Sequence, residues 1–127
     1  MLKRGILNSH LNAELSRLGH TQLVVVADCG LPIPRGVPTV DLAVVLGVPT
    51  FEQVLDAVLD AIVVEGSVAA TESADGRVAQ ILGQRGLTPE LVSHEHLKAL
   101  LPDAALVVRT GSDVPYANVM LRCGVPF

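Results

Sequence analysis

Two ionisable residues bracket a run of valines near the start of the chain. In LGHTQLVVVADCGLPIP, Leu18 to Pro34, His20 follows a glycine, and Asp28 closes the apolar stretch ahead of Cys29, Gly30 and two prolines. Histidine is suited to moving protons near neutrality, because its unperturbed pKa of ~6.5 leaves both protonation states populated. A carboxylate accepts hydrogen bonds from hydroxyls or orients an imidazole. A second polar loop, TGSDVPYAN from Thr110 to Asn118, carries the only tyrosine. Tyr, Asn, His and Asp together suit sugar hydroxyls, since a small polar ligand is held by a few well-placed groups of this kind.

Each of these residues also has a plainer use. Asp28 can cap its own loop as an Asx residue. His20, beside a helix C-terminus, can complement the helix dipole. Tyr116 and Asn118 can be turn residues. His94 and His96 form H-x-H with no further ligands, and at a helix start their side chains point different ways, so no metal is expected. His10 reads as a solvated surface residue, and Cys29 and Cys123 as reduced thiols without metal spacing. The chain has no G-x-G-x-x-G, P-loop, G-x-S-x-G or H-E-x-x-H.

The elements that must position these groups are well punctuated. Asn8 or Ser9 can cap a helix with Leu11, Leu15 and Leu18 on one stripe, and Gly19 stands where a C′ glycine belongs. Gln22 to Ala27 reads as a buried strand without alternation. Gly30 to Pro38 is a Gly/Pro loop that cannot pair as a central strand. Val40 to Leu46 is a second apolar run. Thr50 with Gln53 forms a capping box ahead of a helix bearing Phe51, Val54, Leu55 and Val58. Ala61 to Ala70 is predicted as a third strand, Asp75 to about Arg85 as a helix, and Leu87 to Val92 as a short strand. Ser93 caps a helix through Leu101, stopped by Pro102. Ala105 to Arg109 and Ala117 to Arg122 close the series. Alternating strands and helices predict an α/β fold, a mainly parallel central sheet flanked by helices, in one domain covering residues 1–127. Ligands of such sheets bind beyond the carboxyl ends of the strands, where Asp28 and the Thr110–Asn118 loop fall.

Composition narrows the partners. Of 127 residues, half are hydrophobic but only 2% aromatic, so Val, Leu and Ala must do the packing. A mean hydropathy of +0.49 is high for so small a monomer and predicts that subunit interfaces hide apolar surface. Net charge is −4 and the nine basic residues are scattered, which argues against nucleic acid. There is no apolar core of signal-peptide length and no run near the ~20 residues that span a bilayer, so a cytoplasmic protein without membrane partners is expected.

Four stretches, LNSHLNAELSRLGHTQLVVVADCGLPIP, VDLAVVLGVPTFEQVLDAV, HEHLK and RTGSDVPYANVMLRCGVPF, resemble the D-ribose pyranase family across nearly the whole chain. The GLPIP after Asp28 fits the ribose branch rather than the related L-fucose mutarotases. The segment from Val64 to Thr88 is shorter than is usual in that family, and Gln22 stands where an aspartate often follows GHT. The resemblance implies a cofactor-independent isomerase that interconverts β-pyranose and β-furanose D-ribose. It implies pentameric rings, stacked into a decamer, with sites at subunit boundaries. It makes His20 the proton donor, and Asp28, His94, Tyr116, Ala117 and Asn118 substrate-binding residues, with Lys98, one turn after His94, as an addition. A mutarotase for L-fucose or another sugar, and a non-catalytic sugar-binding accessory protein, are the alternatives.

One consequence of spacing is geometric. If a single strand runs from His20 to Asp28, eight residues at ~3.3 Å each separate them by about 26 Å. No pentose touches both side chains at that distance, so either the strand bends sharply or one subunit supplies His20 and its neighbour Asp28; the high apolar content, which calls for interfaces, favours the second.

Overall fold

The valine run lacks alternation because both of its faces are covered. In the computed structural model, which describes residues 1–127, strand β1 (Leu23–Ala27) lies inside a six-stranded sheet. Val24 and Val26 face one apolar cluster, Val25 and Ala27 the other. The remaining elements are α1 (Ser9–Ser16), β2 (Thr39–Asp41), α2 (Phe51–Ala61), β3 (Val64–Ala70), α3 (Arg77–Gln84), β4 (Glu90–Val92), α4 (His94–Leu100), β5 (Leu106–Arg109) and β6 (Val119–Cys123). Short 3₁₀ turns lie at Thr71–Ser73 and Leu101–Asp103.

The sheet order is β2-β5-β1-β6-β3-β4. Five strands run the same way, and β6 is antiparallel to both of its neighbours, β1 and β3. The fold is therefore α/β as expected, but its sheet is mixed, with the odd strand near the centre. An apolar run carries no mark of its direction, so only the path of the chain decides this. Helices α1, α2 and α3 pack Leu11, Leu15, Phe51, Leu55, Val58, Val78 and Leu82 on one face. On the other face Leu97 of α4, Leu101 and Leu31 cover Val25, Val107 and Met120.

Helix starts follow their caps. The Asn8 side chain accepts from the Leu11 N–H at 2.8 Å. Thr50 and Gln53 make both halves of the capping box, which satisfies two of the four free N–H groups of a helix N-terminus.

Several boundaries differ from the sequence reading. The run Val40–Leu46 is not one strand: β2 ends at Asp41, whose carboxylate accepts from the Ala43 N–H and turns the chain. Val44, Val45 and Leu46 then stand 63–75% exposed. Their loop is closed by a Val45–Val48 bridge and packed on Gly111, where an added Cβ would collide with the Val45 and Val48 carbonyls. Helix α2 continues to Ala61, so β3 starts at Val64 rather than Ala61. A 3₁₀ turn takes Thr71–Ser73, and α3 begins at Arg77 rather than Asp75. The strand expected over Leu87–Val92 pairs only from Glu90. The last strand starts at Val119 rather than Ala117 and includes Cys123. Pro102 sits inside a closing 3₁₀ turn, which it permits because its missing N–H falls at the turn's start. Gly19 is not a left-handed cap. Helix α1 ends at Ser16, the Gly19 N–H is held by Gln22 Oε1 at 2.7 Å, and the left-handed residue is Thr21, with φ 68°.

Candidate functional site

Because β6 runs against β1, the residue just before β6 lies beside the residue just after β1. Val26 is opposite Val119 in the ladder, which brings Asn118 to Asp28. The two lock together. The Asp28 N–H donates to Asn118 Oδ1 at 2.9 Å, and Asn118 Nδ2 donates to Asp28 Oδ2 at 2.8 Å. The other carboxylate oxygen accepts from the Gly30 N–H at 2.9 Å, an Asx turn, so Asp28 caps its loop as well. Asn118 is fully buried. A buried amide with both ends paired fixes the carboxylate in one orientation.

The floor beneath this pair is built by the Arg109–Asp113 segment. Thr110 Oγ1 donates to the Ala27 carbonyl at 2.8 Å and accepts from the Ser112 N–H. The Cys29 N–H donates to the Ser112 carbonyl. Arg109 donates through Nε and one terminal nitrogen to the Cys29 carbonyl, and through the other to Asp41 at 3.0 Å. Asp28, Cys29, Gly30 and Ser112 to Pro115 line a cavity of about 230 Å³.

His94 enters the same end of the sheet from the start of α4, immediately after β4. Ser93 caps that helix, and the His94 N–H donates to Glu72 Oε2 at 2.9 Å. The His94 ring meets Tyr116 edge-on, with centroids 5.0 Å apart and planes at 76°, a favourable aromatic arrangement. Tyr116 holds a left-handed φ of 60°, and its carbonyl accepts from the Asn118 N–H. The strained turn therefore ties the His94–Tyr116 pair to the Asp28–Asn118 pair. His94 Nδ1 is buried without a hydrogen-bond partner. Such an atom is expensive to leave unpaired.

The remaining candidates sit differently. Ala117 is 1% exposed and its methyl packs in the apolar cluster on the α1–α3 side, so it offers a ligand backbone only. Lys98 lies one turn beyond His94, but its ammonium is paired with Glu95 at 2.5 Å, which holds the Glu95 carboxyl below its ordinary range. His10 and His96 are exposed. No three His, Cys, Asp or Glu side chains are grouped to hold a metal ion. Both cysteines are free, and burial together with the Glu65 charge pushes the Cys123 thiol up.

His20 is at the opposite end of the sheet. It precedes β1, and its Nε2 lies 2.9 Å from Glu65 Oε2 at the start of β3. Within one chain the structure brings Asp28, Asn118, His94 and Tyr116 together and leaves His20 apart. Sequence reading missed Glu65, Glu72 and Arg109. Arg109 adjoins the Thr110–Asn118 loop and was open to notice. Glu65 is 45 positions from His20 in a segment with no polar motif, so only the fold reveals the pair.

The profile of the RbsD / FucU transport protein family matches residues 1–126. The chain belongs to this family. It is 53% identical over 127 residues to a D-ribose pyranase of Cutibacterium acnes, and 50% identical over 127 residues to one of Corynebacterium glutamicum, covering all of each chain. Among solved structures it superposes on Bacillus subtilis RbsD complexed with D-ribose with a TM-score of 0.92, at 42% identity over the whole of both chains. A fucose mutarotase of Streptococcus pneumoniae in complex with L-fucose gives a TM-score of 0.80 at 19% identity, over 99% of this chain and all of that one. That likeness is one of fold.

Proposed function

We propose that this family member is a D-ribose pyranase, an isomerase that interconverts β-D-ribopyranose and β-D-ribofuranose. The observation that carries the reading is end-to-end identity of about half to D-ribose pyranases, in a chain whose polar side chains converge at the strand ends where an α/β sheet binds ligands.

The chemistry is proton transfer. Opening the pyranose puts a proton on the ring oxygen and takes one from the anomeric hydroxyl, giving the open-chain aldehyde. Re-closure adds a different hydroxyl to that carbonyl, with one proton returned to the carbonyl oxygen and one lost from the attacking hydroxyl. His20 delivers the proton to the ring oxygen. Asp28, held by Asn118, accepts from sugar hydroxyls, while His94 contributes its unpartnered Nδ1 and Tyr116 an amphipathic wall with a donor tip. Lys98 has a lesser part, since it is engaged by Glu95. Positioned acid–base groups of this kind supply about 10²–10⁴-fold in rate, which suffices for a reaction that also runs unaided. The chemistry calls on no cofactor or metal.

Each site takes His20 from one subunit and Asp28, His94, Tyr116, Ala117 and Asn118 from its neighbour. The placement of His20 at the far end of β1 from Asp28 supports this, as do the exposed Val44, Val45 and Leu46, which need a covering partner. Pentameric rings stacked into a decamer, built from single-domain subunits and acting in the cytoplasm, complete the proposal. No helix is long and apolar enough to cross a membrane.

The test is NMR exchange between the β-pyranose and β-furanose signals of ribose, with wild type beside His20→Ala. Wild type is expected to speed exchange and the variant to lose most of that gain. Acceleration that survives the substitution would move the proton donor elsewhere, with His94 next in line. Acceleration of L-fucose anomers but not of ribose would replace the reading by a mutarotase. Ribose binding without acceleration would make the protein a sugar-binding accessory.

A further inference from the structure

We infer that Glu65 is a positioning residue for His20, holding the imidazole through Nε2 so that Nδ1 exchanges protons with the sugar; this rests on His20 being the proton donor. Glu65 Oε2 lies 2.9 Å from His20 Nε2. With Nε2–H donated to the carboxylate, Nδ1 carries the proton in the imidazolium form and the lone pair in the neutral form. The proton given to the ring oxygen therefore leaves from Nδ1, and the same atom can take one back on re-closure.

Three separate segments are shaped to make this contact. In the β3–β6 ladder Val64 pairs with Cys123 and Gly66 with Arg122, so Glu65 is the extra residue of a β-bulge. A bulge re-aims the side chain it carries, and bulges gather next to active sites. Beside it, the Gly124 N–H donates to the Val63 carbonyl at 2.8 Å, and a Cβ on Gly124 would stand 3.4 Å from Glu65 Cβ and 3.0 Å from Val63 Cγ1. A side chain there would press on Val63, the residue before β3, and so on the backbone that leads into the bulge. On the His20 side, Gln22 Oε1 closes the turn by accepting from the Gly19 N–H. Thr21 is held at φ 68° with its N–H donating to the Cys123 carbonyl at 2.8 Å. A β-branched residue keeps a left-handed conformation only where its surroundings over-determine it, and such strain gathers at functional sites.

Stability of the single subunit does not account for the arrangement. The His20 and Glu65 side chains are 52% and 37% exposed, and ion pairs of that exposure contribute little to folding. A bulge and a left-handed threonine converge on this contact, with Gly124 beside the bulge.

The experiment is the ribose exchange assay on the assembled protein, with kcat and KM determined separately for wild type, Glu65→Gln, Gly124→Ala and their double variant, and His20→Ala alongside. Glu65→Gln is expected to lower kcat about tenfold while KM stays within about twofold, as for loss of an orientation that matters only in the transition state. Gly124→Ala is expected to lower kcat in the same direction and to add little to Glu65→Gln, since both act on one contact. In proton NMR, the imidazole N–H signal of His20 should move upfield in Glu65→Gln, where a neutral amide oxygen replaces the carboxylate as acceptor. Wild-type kcat in Glu65→Gln, beside an inactive His20→Ala, overturns the inference while leaving the proton donor in place. A change confined to KM overturns it as well. Undiminished exchange in His20→Ala removes the proton-donor reading itself, and is told apart because that variant leaves Glu65 untouched.

Discussion

Asn118 does two things at once, and removing its amide separates them. Asn118→Ala leaves the partly buried Asp28 N–H without an acceptor and one carboxylate oxygen without its donor. An unpaired buried group of this kind costs about 1–3 kcal/mol, so thermal unfolding should show a clear drop in Tm. The exchange assay should fall further than stability alone explains, because Asp28 then swings away from its fixed orientation. As candidates, Asp28, Tyr116 and Asn118 were legible in the sequence because polar side chains at strand ends stand out against an apolar background, whereas His94 was singled out only by the family resemblance. The grouping of all four into two linked pairs was not legible, since it depends on β6 running against β1. Glu65 left no trace at all: a glutamate in an exposed-looking segment is unremarkable until a bulge turns it toward His20.

Among the elements, helix starts were the most legible because capping is local chemistry, written within four residues. Thr50→Ala breaks the capping box ahead of α2 and should destabilise the fold by about 1 kcal/mol, read by chemical denaturation. Strand ends were less legible. Val40 to Leu46 is apolar but for Asp41, and nothing in it says that Val40 enters the core and Leu42 packs against it while Val44 to Leu46 face outward. Between α2 and the end of α3, Arg85 donates to both oxygens of Asp56 and holds that carboxyl below its ordinary range. A depressed folded-state pKa contributes stability above the ordinary aspartate range, and loses it as pH falls through the lowered value. Asp56 is more than half exposed, so the pair supplies under about 1 kcal/mol. Arg85→Gln should therefore be slightly less stable than wild type at pH 7. The two should converge in denaturation midpoint as the solution is taken below the carboxylate range.

At the scale of the whole molecule, the separation of His20 from Asp28 makes a prediction that one-subunit sites cannot satisfy. His20→Ala and Asp28→Asn proteins, each inactive alone, should regain activity when unfolded together and reassembled. A site that draws one residue from each of two subunits is intact in about a quarter of cases in an equal mixture, and the exchange assay should recover close to that fraction. No recovery, with mixed assemblies confirmed by native mass spectrometry, would place both residues in one subunit's site. The high apolar content is the sequence feature that calls for interfaces in this proposal. In the proposed assembly, the exposed Val44–Leu46 loop is the apolar surface that a neighbouring subunit would cover. The position of β6 has a consequence for how the molecule is made. As a nascent chain leaves the ribosome, β1, β2 and β5 can assemble on one side and β3 with β4 on the other, but nothing joins these half-sheets until the five residues of β6 emerge last of all the strands. Until then the facing edges of β1 and β3 stand open, and pairing them requires closing long stretches of chain. A chain stalled before Val119 would present two unsatisfied strand edges at once, the kind of surface that chaperones shield and aggregates grow from.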